Sequence, residues 1–333
     1  MFDKSRPFEL GDIFSITFNL FKKTFSRNII IAVAFLVPVG LLMAYGFNVF
    51  FSSIMETAKE SIQSSYEYGN TQTQLPANFF ANLGIYMLAI FAFAFGYLGV
   101  MIGITKISFS EMQGKRISVG EAFAKVFSVT LFRCIGQSIL LGFVVSACIF
   151  VGIFIIGLGA AASMTGITIL GVLVIITGIF LMIYLIYKWY FAFVSIVGED
   201  NYVFDSFSKS SYLVKGNWWR VFGILLLTSL IVDFGISIIT TPLSFILMWD
   251  FFSQYFKMIA EGGMINNDPS SMVKMFESFG FSFGIIIIIS TIFDSLVTPL
   301  INVVMYFDLK IRKNDFPAEN PETNLTNEGI VIE

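Results

Sequence analysis

Two aspartates stand inside long apolar runs, where acidic side chains are rare. Asp233 lies within the run 220–247 and Asp294 within the run 281–307. A carboxylate at the centre of a bilayer costs about 2.5 to 3.5 kcal/mol on insertion scales. Each of these residues therefore needs a proton, a cation or a hydrogen-bonding partner, and both are the first candidates for chemistry.

The positions of the two aspartates predict a shared depth in the membrane. Asp233 follows Arg220 by 13 residues, and Asp294 precedes Asp308 by 14 residues. At about 1.5 Å per helical residue, both lie about 20 Å from the same flank. If the two carboxylates face each other, repulsion would leave them sharing a proton or holding a cation. The alternative is a protonated or hydroxyl-bonded aspartate that fastens one helix to another.

Threonine–proline pairs follow both aspartates. Thr241 precedes Pro242, and Thr298 precedes Pro299. Proline frees a backbone carbonyl in a membrane helix, and threonine can bond to the backbone there. Asp233, Asp294, Thr241 and Thr298 therefore form the candidate intramembrane site.

Composition identifies the class of protein. Of 333 residues, 56% are apolar and only 13% are charged, whereas soluble domains carry about 25% charged residues. Histidine is absent, which removes His-based acid–base and nucleophile pairs and the commonest transition-metal ligand. The net charge of −3 argues against nucleic acid as a partner. We therefore expect no enzyme activity, no catalytic residues, no cofactor and no metal.

Six apolar runs are long enough to span a bilayer, which needs about 20 residues each. They cover 29–51, 79–105, 134–161, 167–190, 220–247 and 281–307. The runs are continuous rather than alternating, so a β-barrel is excluded. The predicted fold class is an all-α integral membrane bundle of six transmembrane helices.

Basic residues predict the orientation of these spans. Seventeen of the 20 Lys and Arg residues flank the spans on the side of the two termini. By the positive-inside rule, both termini are cytoplasmic, and we expect a bacterial cytoplasmic (inner) membrane. At the entry of the fifth span, Lys215, Trp218, Trp219 and Arg220 are candidate contacts for lipid headgroups. Their alternative roles are interfacial anchoring, solvation and a salt bridge.

Three amphipathic stretches precede the odd-numbered spans, at residues 1–28, 119–127 and 204–218. Apolar residues recur there at helical spacing, which is typical of helices in the headgroup plane. We interpret the chain as a threefold repeat of a cytoplasmic interfacial helix and a transmembrane hairpin. The predicted domains are 1–28, an interfacial amphipathic helix; 29–309, the transmembrane domain; and 310–333, an acidic disordered tail.

Small residues predict close helix packing. Ala89, Ala92, Gly96, Gly99 and Gly103 lie on one face of the second span, which favours packing within the bundle, with homodimerisation as the alternative. Spans three and four are joined by a short run of small residues and are predicted to be close antiparallel neighbours. The loop 52–78 is predicted to be flexible, and the loop 248–280 to contain a short helix near 270–279.

Four short stretches resemble a known family. They are RPFELGDIF (6–14), GED (198–200), LVKGNWWR (213–220) and MYFDLKIRK (305–313). In these stretches the chain resembles the multi-pass membrane domain attached to some bacterial glycerophosphodiester phosphodiesterases, and its standalone relatives. The resemblance implies a six-helix membrane bundle. It does not imply phosphodiesterase activity, because that chemistry belongs to a separate soluble domain with histidines and acidic metal ligands.

Two functions are consistent with these features. The leading hypothesis is a non-catalytic membrane protein that organises or anchors membrane lipids or another membrane or cytoplasmic protein. The alternative is a small proton- or cation-coupled transporter or channel that uses the aspartate pair. A homo-oligomer is compatible with both.

Overall fold

The computed structural model describes residues 6–68, 77–260 and 279–315. These residues form ten helices and no strand. The helices are α1 (Leu10–Tyr68), α2 (Phe79–Met112), α3 (Val119–Val126), α4 (Val129–Ala161), α5 (Thr165–Trp189), α6 (Ala192–Glu199), α7 (Val203–Val214), α8 (Trp218–Leu247), α9 (Trp249–Ala260) and α10 (Phe279–Arg312).

Six helices are long and apolar enough to cross a membrane, as the sequence predicts. They are α1, α2, α4, the segment of α5 and α6, α8 and α10. Each predicted span lies within one of these segments. The six-helix, all-α membrane fold is therefore confirmed.

The first helix differs from the predicted domain boundaries. Helix α1 runs for 59 residues without a break at residue 28, and it continues to Tyr68, into the loop predicted to be flexible. At about 1.5 Å per residue its length is about 90 Å. The change from amphipathic to apolar sequence at residue 28 does not end the helix, because backbone hydrogen bonds form equally well on both sides of it. The helix contains one proline, Pro38.

Helices α1, α2 and α10 form the centre of the bundle. Both α2 and α10 run antiparallel to α1 and pack along much of its length. A Cβ atom on Gly96 of α2 would lie 2.6 Å from Val39 Cγ2, and one on Gly284 of α10 would lie 2.5 Å from Ala44 Cα. The small-residue face of α2 is therefore used for packing within the bundle, as predicted.

Helices α4 and α5 form a tight antiparallel hairpin, also as predicted. A Cβ atom on Gly171 would lie 2.8 Å from the backbone nitrogen of Ile156. The remainder of the hairpin surface is largely uncovered: only 6% of the most apolar part of α4 is buried, against 39% for α2 and α10. Its partners outside the hairpin are mainly the short helices α6 and α7.

Both ends of the described chain meet at one end of the bundle. Phe8, before α1, donates its backbone N–H to Asp308 near the end of α10, at 2.8 Å. We call this end, which also holds Arg27, Arg220 and Arg312, the basic end. The last described residues are held in place there: Lys310 pairs with Glu199 at 2.5 Å, and Lys209 pairs with Asp315.

The basic end differs from the prediction in two details. Residues 310–315 belong to α10 and its C-terminal turn, where ion pairs hold them to the bundle, so the ordered chain extends past the predicted start of the tail at residue 310. The remaining tail, 316–333, lies outside the described residues, as does most of the predicted helix near 270–279. Helices α3 and α7 confirm two of the three predicted amphipathic stretches as separate helices.

Candidate intramembrane carboxylate site

Asp233 and Asp294 line the same cavity, which has a volume of about 380 Å³. Asp233 comes from α8 and Asp294 from α10, two helices that pack on each other. Helix α2 supplies the third wall through Tyr97. The other lining residues are Phe93, Ile236, Ser290 and Thr291. The two carboxylates that the sequence analysis selected therefore line one cavity.

Two hydroxyl groups bind the carboxylate of Asp294 in the described part of the chain. Tyr97 donates its hydroxyl to Asp294 Oδ2 at 3.3 Å, and Thr298 donates Oγ1–H to Asp294 Oδ1 at 2.6 Å. Within the described chain, no Lys or Arg forms a salt bridge with either aspartate of the cavity. The local structure therefore supplies hydrogen bonds to Asp294 but no countercharge.

Asp233 lies at the open side of the cavity. Its side chain is exposed, whereas that of Asp294 is half-buried. The backbone carbonyl of Asp233 accepts a hydrogen bond from Ser237 Oγ at 2.7 Å. One carboxylate is thus partly enclosed by the bundle, and the other lies at its surface.

The structure includes Thr298 in the site and separates Thr241 from it. Thr298 bonds to Asp294, as described above. Thr241 is exposed on α8 and is not among the residues that line the cavity. Tyr97 is the important residue that the sequence analysis missed. The second span also holds Tyr86 and Thr105, so no signal in the sequence set Tyr97 apart from them.

A polar row runs along α10 from the cavity to the basic end. Every fourth residue is polar, namely Ser290, Asp294, Thr298, Asn302, Tyr306 and Lys310. Residues four apart are neighbours on a helix surface, so the row is continuous. The Asn302 side chain lies beside the Tyr190 hydroxyl, and the Tyr306 hydroxyl lies beside Ser195 and Glu199 but has no hydrogen-bond partner among the described residues. The row ends at the ion pair of Lys310 with Glu199.

Asp308 forms a second, very different carboxylate site at the basic end. It is fully buried and accepts hydrogen bonds from Arg312 Nε at 3.0 Å and from Arg220 Nη2 at 3.2 Å. Both arginines also donate to the backbone carbonyl of Phe8, at 2.7 Å from Arg220 and 3.0 Å from Arg312. The result is a closed network of one carboxylate, two guanidinium groups and the backbone N–H and C=O of Phe8.

The four stretches that carry the family resemblance meet at this network and beside it. Phe8 belongs to the first stretch, Arg220 to the third, and Asp308 and Arg312 to the fourth. The second stretch contributes Glu199, which pairs with Lys310. These residues are therefore explained by the assembly of the basic end rather than by the carboxylate cavity.

The predicted headgroup contacts are divided between two environments. Lys215 and Trp218 line a groove at the basic end, and Trp219 is 78% exposed beside them. Arg220 forms the salt bridge that the sequence analysis gave as its alternative role, with its guanidinium directed to Asp308 and Phe8. Among the described residues, no group of three or more His, Cys, Asp or Glu side chains could hold a metal ion.

These features define a polytopic membrane protein with a carboxylate-lined cavity between three of its spanning helices. The family model described as a domain of unknown function, DUF7847, matches residues 22–309. The chain therefore belongs to this family. No curated protein matches the chain, and no solved structure matches it either. The resemblance to the phosphodiesterase-associated membrane domain stays a prediction.

Proposed function

We propose that the protein is a small proton- or cation-coupled transporter or channel whose coupling site is the cavity of Asp233 and Asp294. The observation that carries this proposal is that both carboxylates line one cavity and have no basic partner among the described residues. A carboxylate pair without countercharge binds a proton or a cation far more readily than an ion pair does. The transported solute is not specified by these side chains.

The polar row on α10 supports a path between this cavity and the basic end. Thr298, Asn302 and Tyr306 supply hydroxyl and amide groups on α10 between Asp294 and Lys310. Polar groups in membrane helices face the bundle interior and mark ion or proton pathways. In the orientation that the positive-inside rule favours, this path leads to the cytoplasm of a bacterial cell.

The proposal is tested by flux measurements in liposomes that contain the purified protein and an internal pH-sensitive dye. An imposed membrane potential with an inward gradient of H⁺, Na⁺ or K⁺ should produce flux in wild type. Asp294→Asn should abolish the part of this flux that depends on the gradient. Asp250→Asn, which removes an exposed carboxylate at the start of α9, is the matched control and should behave as wild type. Wild-type liposomes no leakier than empty ones under all three gradients would reject the proposal.

A second candidate is a non-catalytic organiser that anchors membrane lipids or another protein. The uncovered surface of the α4–α5 hairpin favours it, since a membrane helix with so few internal contacts presents a large face to its surroundings. Affinity purification in nanodiscs, followed by mass spectrometry, tests this candidate. A stoichiometric protein partner retained by Asp233→Asn/Asp294→Asn supports the organiser, and a monodisperse protein with no partner argues against it.

A further inference from the structure

We infer that a groove at the basic end binds the phosphate group of an anionic phospholipid. The groove has a volume of about 430 Å³ and lies between the end of α5, the end of α7 and the start of α8. Its polar lining comes from Tyr184, Lys188, Ser211, Tyr212, Lys215 and Trp218. This groove shares no lining residue with the carboxylate cavity, and the inference does not depend on the proposed transport function.

The two lysines of the groove have no salt-bridge partner among the described residues. At the basic end, Arg27, Lys125, Arg220, Lys310 and Arg312 each form a salt bridge with a carboxylate. Within the described part of the chain, Lys188 and Lys215 form none, and no carboxylate lines the groove. The groove therefore concentrates positive charge that an anion can compensate.

Neighbouring groups increase this positive character. Lys313 donates Nζ–H to the backbone carbonyl of Lys215 at 2.8 Å and lies 5.4 Å from the ring centre of Tyr212. Helix α8 begins at Trp218, and Asn217 gives it no side-chain cap. The partial positive charge of an uncapped helix start favours a phosphate.

The aromatic residues place the groove at the level of lipid headgroups. Trp218 donates its indole N–H to the backbone carbonyl of Tyr184 at 3.2 Å and stacks on Phe222 with ring centres 5.3 Å apart. Trp219 beside it is 78% exposed. Such aromatic residues occupy the boundary between headgroups and hydrocarbon. A phospholipid could therefore place its phosphate between the lysines while its acyl chains stay in the bilayer. A soluble phosphate has no acyl chains and would make only the first of these contacts.

The test is native mass spectrometry of the full chain in nanodiscs, with phosphatidylglycerol titrated into phosphatidylcholine. Lys188→Gln/Lys215→Gln should weaken retention of phosphatidylglycerol by roughly 30-fold, about fivefold per lysine near an anionic surface. Lys115→Gln/Arg116→Gln removes two exposed cations outside the groove and should bind as wild type. Lys188→Arg/Lys215→Arg should retain binding, which separates loss of charge from loss of folding.

Four results would overturn the inference. They are unchanged affinity in the glutamine pair, equal loss in the control pair, equal retention of phosphatidylcholine, and displacement of phosphatidylglycerol by millimolar inorganic phosphate. The last result would identify a soluble phosphate as the occupant. Selective loss in the glutamine pair, with no competition by phosphate, supports a phospholipid site.

Discussion

Helix α10 carries two aspartates, Asp294 and Asp308, in opposite environments. Asp308 is fully buried and receives hydrogen bonds from two arginines and from the backbone of Phe8. Asp294, 14 residues earlier, has the hydroxyls of Tyr97 and Thr298 as its partners. One carboxylate is compensated by opposite charge, and the other is not.

This difference distinguishes structural from functional use of the same side chain. A buried charge with full compensation fixes the geometry of its neighbours and has no capacity left for a ligand. A carboxylate with only neutral partners keeps its need for a proton or cation, which is the basis of the proposed coupling role. The same Asp→Asn substitution at each position therefore tests the comparison directly.

The largest expected effect on stability is at Asp308. Asp308→Asn should lower the free energy of unfolding by about 3 kcal/mol or more, because it leaves two arginines without their common carboxylate. Both guanidinium groups are about one quarter exposed, which places the loss at the lower end of the range for buried pairs. Denaturation in mixed detergent–SDS micelles measures it. An unchanged midpoint would mean that the network does not hold the termini together.

Asp294→Asn should have the opposite sign. Removal of an uncompensated carboxylate from the membrane centre should leave the unfolding free energy unchanged or raise it, by at most about 2.5 kcal/mol. Coupled flux in liposomes should be lost in the same variant. If Asp294→Asn destabilises the protein as much as Asp308→Asn does, Asp294 is a fastener between helices and the comparison fails.

The sequence predicts the spans and the two membrane aspartates because both follow from local transfer free energies. About twenty apolar residues define a span, and a carboxylate inside a span stands out because its insertion into the bilayer costs free energy. The network at Asp308 could not be predicted in the same way. Its contacts join residues 300 and 88 positions apart, and each of these residues by itself resembles an ordinary charge at the end of a span.

Tyr97 shows the same limit within the candidate site. A tyrosine in an apolar span is common and gives no local sign of its partner on α10, 197 residues later. The continuous helix α1 was missed for a different reason. The change in polarity near residue 28 marks where the membrane begins, whereas a helix ends only where hydrogen bonding is interrupted.

A smaller loss is expected at Arg27, which belongs to the compensated side of the comparison. Arg27 pairs with Glu111 at 2.7 Å and donates to the backbone carbonyl of Ile117 at 3.0 Å. Arg27→Met should cost about 2 kcal/mol of unfolding free energy, since it leaves a largely buried carboxylate unpaired. Arg27→Met/Glu111→Gln should recover part of this loss. A double variant less stable than the sum of the single variants would contradict mutual compensation.

The smallest effect is expected at an exposed carboxylate of the basic end, in the capping box of α3. The Ser118 backbone N–H and hydroxyl donate to the Glu121 carboxylate and hold its pKa below the ordinary value. In return, Ser118 Oγ accepts a hydrogen bond from the Glu121 backbone N–H at 3.2 Å. Loss of this N-cap in Ser118→Ala should cost about 1 kcal/mol.

The capping box also has a pH dependence of defined sign. Because the folded-state pKa of Glu121 is lowered, its contribution is complete above the unfolded pKa of about 4.3 and declines as the pH falls. The stability difference between wild type and Ser118→Ala should therefore be largest near neutral pH and smaller in acid, where the hydroxyl no longer binds a charged carboxylate. Thermal unfolding of both proteins at pH 7 and pH 3.5 measures it. A stability difference that is independent of pH would show that the Ser118 hydroxyl acts only as a cap of the backbone. Charge compensation at the basic end would then be confined to the buried ion pairs.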